Sequence, residues 1–282
     1  YSAEELQGRP ARTLYASDED YVRLGERVQA QFVAHGAFDG DVGFMRKDGS
    51  PVWARVQGRG VRAHDMAGGT VWILEDLTAA REAQQQQDWA AIHDPLTQLC
   101  NREAFVQRMG VLLAERSARA RTPGVEAVDA AEGEGDGVML FLDLDHFTVV
   151  NDLAGHDAGD DVLRHVARLL ESHVRQIGWA ARLGGDEFAV VLPGCSLARG
   201  QALAEQLRAA VQAWEPSYQG RSFTLGVSIG LVVLDASLQD VPSVLYAADM
   251  ACYDAKRAGR NRVETRHADQ AAASGRLALG PV

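Results

Sequence analysis

Long apolar runs are missing from this 282-residue sequence. Nothing in it approaches the ~18 consecutive apolar residues of a membrane-spanning helix, so this stretch of chain is expected to be soluble and to make no membrane contact. Cysteine is scarce: Cys100, Cys195 and Cys252 are widely spaced and form no CxxC pair. That excludes a disulfide framework, disfavours a zinc site and leaves three reduced packing residues in a cytoplasmic setting. Positive charge is short, with 28 Lys and Arg against 39 Asp and Glu and a net charge of -11. Broad binding to a nucleic-acid backbone is therefore excluded, and a small anionic ligand would need a local cationic or metal site. No fixed-period repeat is present, which removes a solenoid. An initial Met is also lacking; the chain opens at Tyr1 within "YSAEELQG" and reads as a fragment, so an upstream membrane tether stays open.

What is present is ordinary globular composition, 46% hydrophobic and 24% charged, in a length that predicts two domains. Residues 38–78 alternate like antiparallel sheet, with hairpin signals at Asp48-Gly49 and Gly68-Gly69. Between them lie Val52, Trp53, Val56 and Val61, then Val71, Trp72, Ile73 and Leu74. Trp53 and Trp72 could line a ligand cavity, but strand aromatics are more often core, and core is the expectation here. The "RKDGSPVW" hairpin, the strand ending "EDLT" and the opening "YSAEELQG" resemble the C-terminal part of a PAS sensor domain, over residues 1–78. That resemblance implies a sensor whose ligand the sequence does not name.

After Thr78, a candidate cap, "AAREAQQQQDWAAIH" is rich in helix formers, with no Gly or Pro before Pro95. A helical signalling linker is predicted over 79–93, able to couple two domains or, by pairing with a second copy, to space them. In the second domain, "NREAFVQRMGVLLAE" has helical spacing, while "RSARARTPGVEAVDAAEGEGDG" loses periodicity and reads as a long surface loop. "VMLFL" (Val138 to Leu142) reads as a central buried strand. A helix is predicted from Asp160, with Leu163, Val166, Leu170 and Val174 on one face. "WAARL" and "FAVVLP" then form a hairpin, followed by the helix "ARGQALAEQLRAAVQAW", the strand "FTLGVSIGLVVL" and the helix "VPSVLYAADMACYDAKRAG". This order predicts an α+β domain with helices packed on one face of a sheet.

Acids gather where these elements end. "FLDLDHF" puts Asp143 and Asp145 at the strand exit, and "ARLGGDEFAV" puts Asp186 and Glu187 at the hairpin tip. Carboxylates brought together repel unless a cation neutralises them, and their hard oxygens suit magnesium and, through it, a phosphate. Gly184 and Gly185 are expected to supply positive φ and bare backbone. Taken alone, the tip would be only a tight turn with solvated acids. "NDLAGHDAGD" adds Asn151 and Asp160, whose amide and carboxylate match the donor and acceptor edge of guanine. "AKRAGRNRV" adds Lys256 and Arg260, which at i and i+4 would present two cations from one helical face.

In order and spacing, "HDPLTQLCNREAF", "LDLDHFTVVNDLAGHDAGDDVL", "ARLGGDEFAVVLP", "GVSIG" and "YDAKRAGRNRV" resemble a GGDEF-family diguanylate cyclase domain over residues 94–266. The resemblance implies a ferredoxin-like, polymerase-palm-related fold that condenses two GTP into cyclic di-GMP and releases two pyrophosphates. It implies magnesium, with manganese as an alternative, at Asp143, the Leu144 carbonyl and Asp186. Asp186 and Glu187 would activate the ribose 3′-hydroxyl. Gly185 would let backbone approach the substrate, and Asn151 and Asp160 would read guanine. The backbone at His146 and Phe147, with Lys256 and Arg260, would hold the phosphates. Each domain would bind one GTP, so chemistry requires a homodimer.

Two departures stand out. Thr148 occupies the slot that usually carries Lys, and Gln98 replaces a common Gly. A slot for an inhibitory Arg-x-x-Asp reads Arg175-Gln176-Ile177-Gly178, without the acid. The alternative function is a catalytically weak or inactive GTP-binding module that regulates a downstream EAL-type phosphodiesterase. Residues 267–282 would then be a tail linking to it.

Overall fold

The computed structural model describes residues 1–62, 65–120 and 135–266. They form two compact units, Tyr1–Asp88 and Trp89–Val282. In the first unit a short helix α1 (Ala3–Leu6) precedes α2 (Asp18–His35). The Ser17 hydroxyl caps α2 by accepting from the Asp20 amide at 3.1 Å, three acids follow in the first turn, and Gly36 ends the helix in the left-handed region. A three-stranded antiparallel sheet follows, ordered β1 (Ala37–Met45), β2 (Pro51–Arg62) and β3 (Asp65–Asp76). Its small core is Phe32, Phe38, Val42, Ala54 and Val56.

Three expectations need correction in this unit. The turn at Asp48-Gly49 does join β1 to β2, but Gly68 and Gly69 lie inside β3, where the pairing jumps from Gly60↔Thr70 to Arg62↔Asp65. The glycine freedom is spent on an irregularity in the ladder, not on reversing the chain. Trp53 and Trp72 are 42% and 37% exposed, not core. Arg81 lies over the Trp53 ring at 4.4 Å, and the Trp72 ring packs tilted against those of Phe32 and Phe38. Finally, the Asp76 carboxylate, not Thr78, accepts the first amide of helix α3 (Thr78–Ile92), at 2.8 Å; the Thr78 hydroxyl instead accepts from the Trp53 amide at 3.0 Å.

The second unit begins with the end of α3 and with α4 (Arg102–Ala120), which runs into the segment expected to be loop. Residues 121–134 of that loop lie outside the described residues, and its last residues, Gly135 and Gly137, donate to the Gly194 and Cys195 carbonyls. Strand β4 (Val138–Asp145) leads to two helices, α5 (Phe147–Ala154) and α6 (His156–Val174). Thus α5 was not foreseen and α6 starts four residues before the predicted Asp160, because Gly155 breaks one amphipathic stretch into two helices. The hairpin β5 (Trp179–Gly184) and β6 (Glu187–Leu192), helix α7 (Leu197–Ala213) and a small ribbon β7 (Ser217–Tyr218) and β8 (Arg221–Ser222) come next. Strand β9 (Gly226–Val233), helix α8 (Val241–Arg257) and β10 (Val263–Arg266) complete it.

The strand order is β10-β9-β4-β6-β5, with β4 central and antiparallel to both neighbours. Alternation along β4 divides its apolar run. Leu140, Leu142 and Leu144 pack with Val162, Val166 and Leu170 of α6 and Leu207 of α7. Met139 and Phe141 pack with Phe105 and Met109 of α4 and Val244 and Ala248 of α8. Helices therefore cover both faces of the sheet, not one, which is why "VMLFL" is continuous rather than alternating. Among the described residues no helix is long and apolar enough to cross a membrane.

Candidate functional site: the exit of the central strand

The two acidic motifs meet because their strands are partners. Asp143 is in register with Glu187, and the Leu144 amide donates to the Asp186 carbonyl at 3.3 Å, stitching β4 to the hairpin tip. At that tip Gly184 and Gly185 have φ of 156° and 46°, and a Cβ on either would meet nothing. Their necessity here lies in backbone conformation, with open space left over them.

Beneath the tip is a support that the motifs did not single out. Arg182 donates through Nε and Nη2 to the Gly185 carbonyl at 3.0 and 2.8 Å, while its Nη1 pairs with Asp94 at 3.1 Å. Burial opposes the charge on Asp94, but bonds from Thr97 and the pair with Arg182 outweigh it and hold its pKa below the usual carboxylate range. On the same loop the Asn101 side chain donates to the carbonyls of Ala90 and Ala91 at 3.2 and 3.0 Å, and the Cys100 carbonyl accepts from the Arg182 amide. The only sequence signals were an Arg two residues before the glycines and an Asp opening "DPLT". Gln98 in this loop has φ of 64°, so it occupies backbone that glycine would enter without strain.

A cavity of about 220 Å³ opens where β4 ends. Asp143, Leu144, Asp186, Lys256 and Arg260 line it, with Asp145, His146, Phe147 and Thr148. His146 adopts left-handed backbone, φ 59°, at the start of α5, and no side chain caps that helix. Its first turn therefore brings the positive end of a helix to the cavity wall, which suits an anion. Arg260 is not on the helical face expected for it. Helix α8 ends at Arg257, and Arg260 sits in a following left-handed turn at φ 63° because Gly259 breaks the helix. Lys256 and Arg260 nevertheless reach the same cavity.

Lys256 Nζ lies 2.6 Å from Asp143 Oδ2. Burial, reinforced by Asp186 and Asp145, raises the Asp143 pKa despite this pair, so desolvation outweighs the lysine. Burial pulls Lys256 down, yet its bond and attraction to Asp143 prevail and hold it above the usual value. Glu187 is pushed up by burial and then by Asp143, Asp249 and Asp186. Asp145 is different: it is 4% exposed and turns to Ser228, whose hydroxyl donates at 2.7 Å, and to the Asn261 amide at 2.9 Å.

Among the described residues no three His, Cys, Asp or Glu side chains are gathered closely enough to cage a metal. The donor set is two carboxylates, Asp143 and Asp186, and the Leu144 carbonyl. Such an incomplete set of hard oxygens fits magnesium, which is held by few protein ligands and keeps positions for phosphate.

Gly185 and Glu187 do not line this cavity, and neither do Asn151 and Asp160. Those last two lie together at the α5–α6 junction. A Cβ on Gly159 would fall 1.9 Å from Asn151 Oδ1, so the bare Gly159 backbone admits the amide beside Asp160. Asp160 is half exposed, 3.6 Å from Arg164. The sequence-predicted residues thus fall into two places, one with carboxylates and cations and one with an amide and a carboxylate, with Gly185 and Glu187 at the hairpin tip outside both.

A family model described as "Diguanylate cyclase, GGDEF domain" matches residues 91–262. The chain is 32% identical over 275 residues to the probable diguanylate cyclase DgcE of Escherichia coli (strain K12), covering 97% of this chain and 24% of that protein. It is 38% identical over 190 residues to the diguanylate cyclase DgcP of Pseudomonas aeruginosa, covering 67% and 26%. The crystal structure of the coiled coil and GGDEF domain of DgcB from Caulobacter crescentus in complex with c-di-GMP matches with a TM-score of 0.57 at 29% identity. That match covers 67% of this chain and 93% of DgcB's. The chain spans about a quarter of the length of these curated relatives.

Proposed function

Because the chain belongs to the GGDEF diguanylate cyclase family, we propose that residues 94–266 condense two molecules of GTP into cyclic di-GMP, releasing two pyrophosphates. The observation that carries this reading is the convergence of Asp143 and Asp186 with Lys256 and Arg260 on one cavity at the start of α5. In a chain of net charge -11, such a cluster is the local cationic site that a triphosphate needs.

Lys256, Arg260 and the backbone at His146 and Phe147 hold the triphosphate. Asn151 and Asp160, in the neighbouring place, bind the guanine edge, and Gly185 leaves room for the substrate's approach. Asp143, Asp186 and the Leu144 carbonyl would hold magnesium, or manganese, which supplies Lewis-acid stabilisation of phosphate charge. Asp186 accepts the proton of the 3′-hydroxyl, assisted by Glu187, whose pKa is raised by burial and by the neighbouring acids. Lys256 neutralises Asp143 in the free protein and is shared with phosphate on binding. One GTP per domain requires two chains to face each other. The unit before Asp88 acts as a PAS-like sensor and α3 as the element through which it regulates that pairing. A GTP substrate implies a cytoplasmic setting.

One observation favours a second reading. Thr148, on the cavity wall, offers no charge where the family usually has Lys, which suits a weak or inactive GTP-binding module acting on a downstream EAL-type phosphodiesterase. Incubation with GTP and magnesium separates the two. The first reading expects cyclic di-GMP from the unmodified chain and a loss on the order of a thousandfold in Asp186→Ala. Saturable GTP binding without product would leave the second.

A further inference from the structure

We infer that Asp145 is a positioning residue for Arg260 and not part of the metal-binding set, although it sits two residues from Asp143 in the same acidic motif. The inference rests on the proposed role of Arg260 in holding phosphate. Asp145 is buried, and each of its oxygens is already engaged: Oδ1 accepts from the Ser228 hydroxyl at 2.7 Å and Oδ2 from the Asn261 amide at 2.9 Å.

The second of those bonds fixes an unusual piece of backbone. Gly259, Arg260 and Asn261 have φ of 118°, 63° and 44°, three successive residues in the left-handed region, of which only the first is glycine. Side-chain-bearing residues leave that region unless surrounding contacts hold them. The Arg260 amide donates to the Ala255 carbonyl at 3.0 Å, which fixes the near end of the turn to α8. At the far end Asp145 holds the Asn261 amide, with a longer bond of 3.3 Å from Arg208 to the Asn261 side chain behind it, while Arg262 beyond the turn donates to the Ala258 carbonyl at 2.7 Å and accepts from the Ile229 amide at 2.9 Å. Close packing confirms the fit: a Cβ on Gly226 would lie 2.9 Å from Asp145 Oδ2 and 3.2 Å from Asn261 Cβ. A buried carboxylate at the root of β4 thereby sets where an arginine enters the cavity.

The test is a double-mutant cycle read by GTP affinity, measured by calorimetry in magnesium, alongside KM and kcat. In Asp145→Asn, whichever way the side-chain amide turns, the Asn261 N–H loses its charged acceptor to a neutral oxygen or an N–H. Expected are a roughly tenfold weaker GTP affinity and a matching rise in KM, little change in kcat, and an unchanged magnesium concentration for half-maximal activity. In an Arg260→Ala background the same substitution should add less than about twofold, since there is no arginine left to position. A raised magnesium requirement, or effects of Asp145→Asn and Arg260→Ala that multiply, would overturn the inference. If Arg260→Ala binds GTP normally, its phosphate role fails first and the inference falls with it; if it weakens GTP while Asp145→Asn does not, only the inference falls. Ser228→Ala, which removes one of the two hydrogen bonds to the Asp145 carboxylate, keeps the test available should Asp145→Asn not fold. It should weaken GTP two- to threefold and likewise lose that effect beside Arg260→Ala.

Discussion

Two turns bring charge to the same cavity, and they are built in opposite ways. The hairpin turn at Gly184-Gly185 uses glycine for its positive φ, faces open space, and is supported from below by Arg182. The turn at Gly259–Asn261 carries two side-chain-bearing residues in left-handed backbone and is closed by a carboxylate 116 residues away. The first obtains its shape from local composition and the second from tertiary contact, so the two should fail differently.

The largest effect is expected at the glycine turn. Gly184→Ala puts a side chain at φ 156°, where space is free but the backbone is strained. We expect loss of at least tenfold in cyclic di-GMP formation and about 1–3 kcal/mol in stability, measured by turnover and urea unfolding. Asn261→Gly, by contrast, keeps the amide that Asp145 holds and should leave the fold within about 1 kcal/mol of the original. Equal losses in the two variants would erase the distinction between the turns.

Next comes the support beneath the hairpin. Asp94→Asn leaves Arg182 without its charged, partly buried partner and should cost about 1–2 kcal/mol near neutral pH. The pKa of Asp94 is depressed in the folded protein, so the stability it contributes is present above its unfolded pKa and is lost as pH falls through the folded value. The gap between the two proteins should therefore close in acid; a gap independent of pH would assign the loss to something other than the charge.

The smallest effect concerns Glu187, whose pKa is raised by burial and neighbouring carboxylates. For a raised acid the sign reverses: its favourable contribution is present below the unfolded pKa and lost as pH rises through the folded one. Glu187→Gln should thus raise the melting temperature by about 2 °C at neutral pH and by nothing in acid, while lowering turnover. No thermal gain at neutral pH would mean that the hairpin acids carry no electrostatic cost.

This contrast also explains what could be read without coordinates. Paired glycines, the β5–β6 hairpin and the alternating core of α6 are local patterns, and each had a direct signature. The motifs likewise contained the residues that line the cavity and those at the α5–α6 junction. Helix α5 was hidden by Gly155, which interrupts its amphipathic pattern; the second helical layer was legible in the continuous run of β4, which needs cover on both faces, although the element order suggested cover on one. Lys256 and Arg260 were four residues apart, and helical spacing gave a plausible but wrong reason for their convergence; the left-handed turn does it instead. Arg182 with Asp94, and Asp145 with Asn261, pair across 88 and 116 residues, where neither partner has a local pattern to announce the other.

Pyrophosphate and cyclic di-GMP released from GTP and magnesium, followed together as the concentration of the chain is raised, test the central claim most directly. The proposed chemistry predicts two pyrophosphates per cyclic di-GMP, a specific rate that rises as chains pair, and a loss of both products on the order of a thousandfold in Asp186→Ala. GTP bound at saturation, with no pyrophosphate released at any concentration, would contradict it.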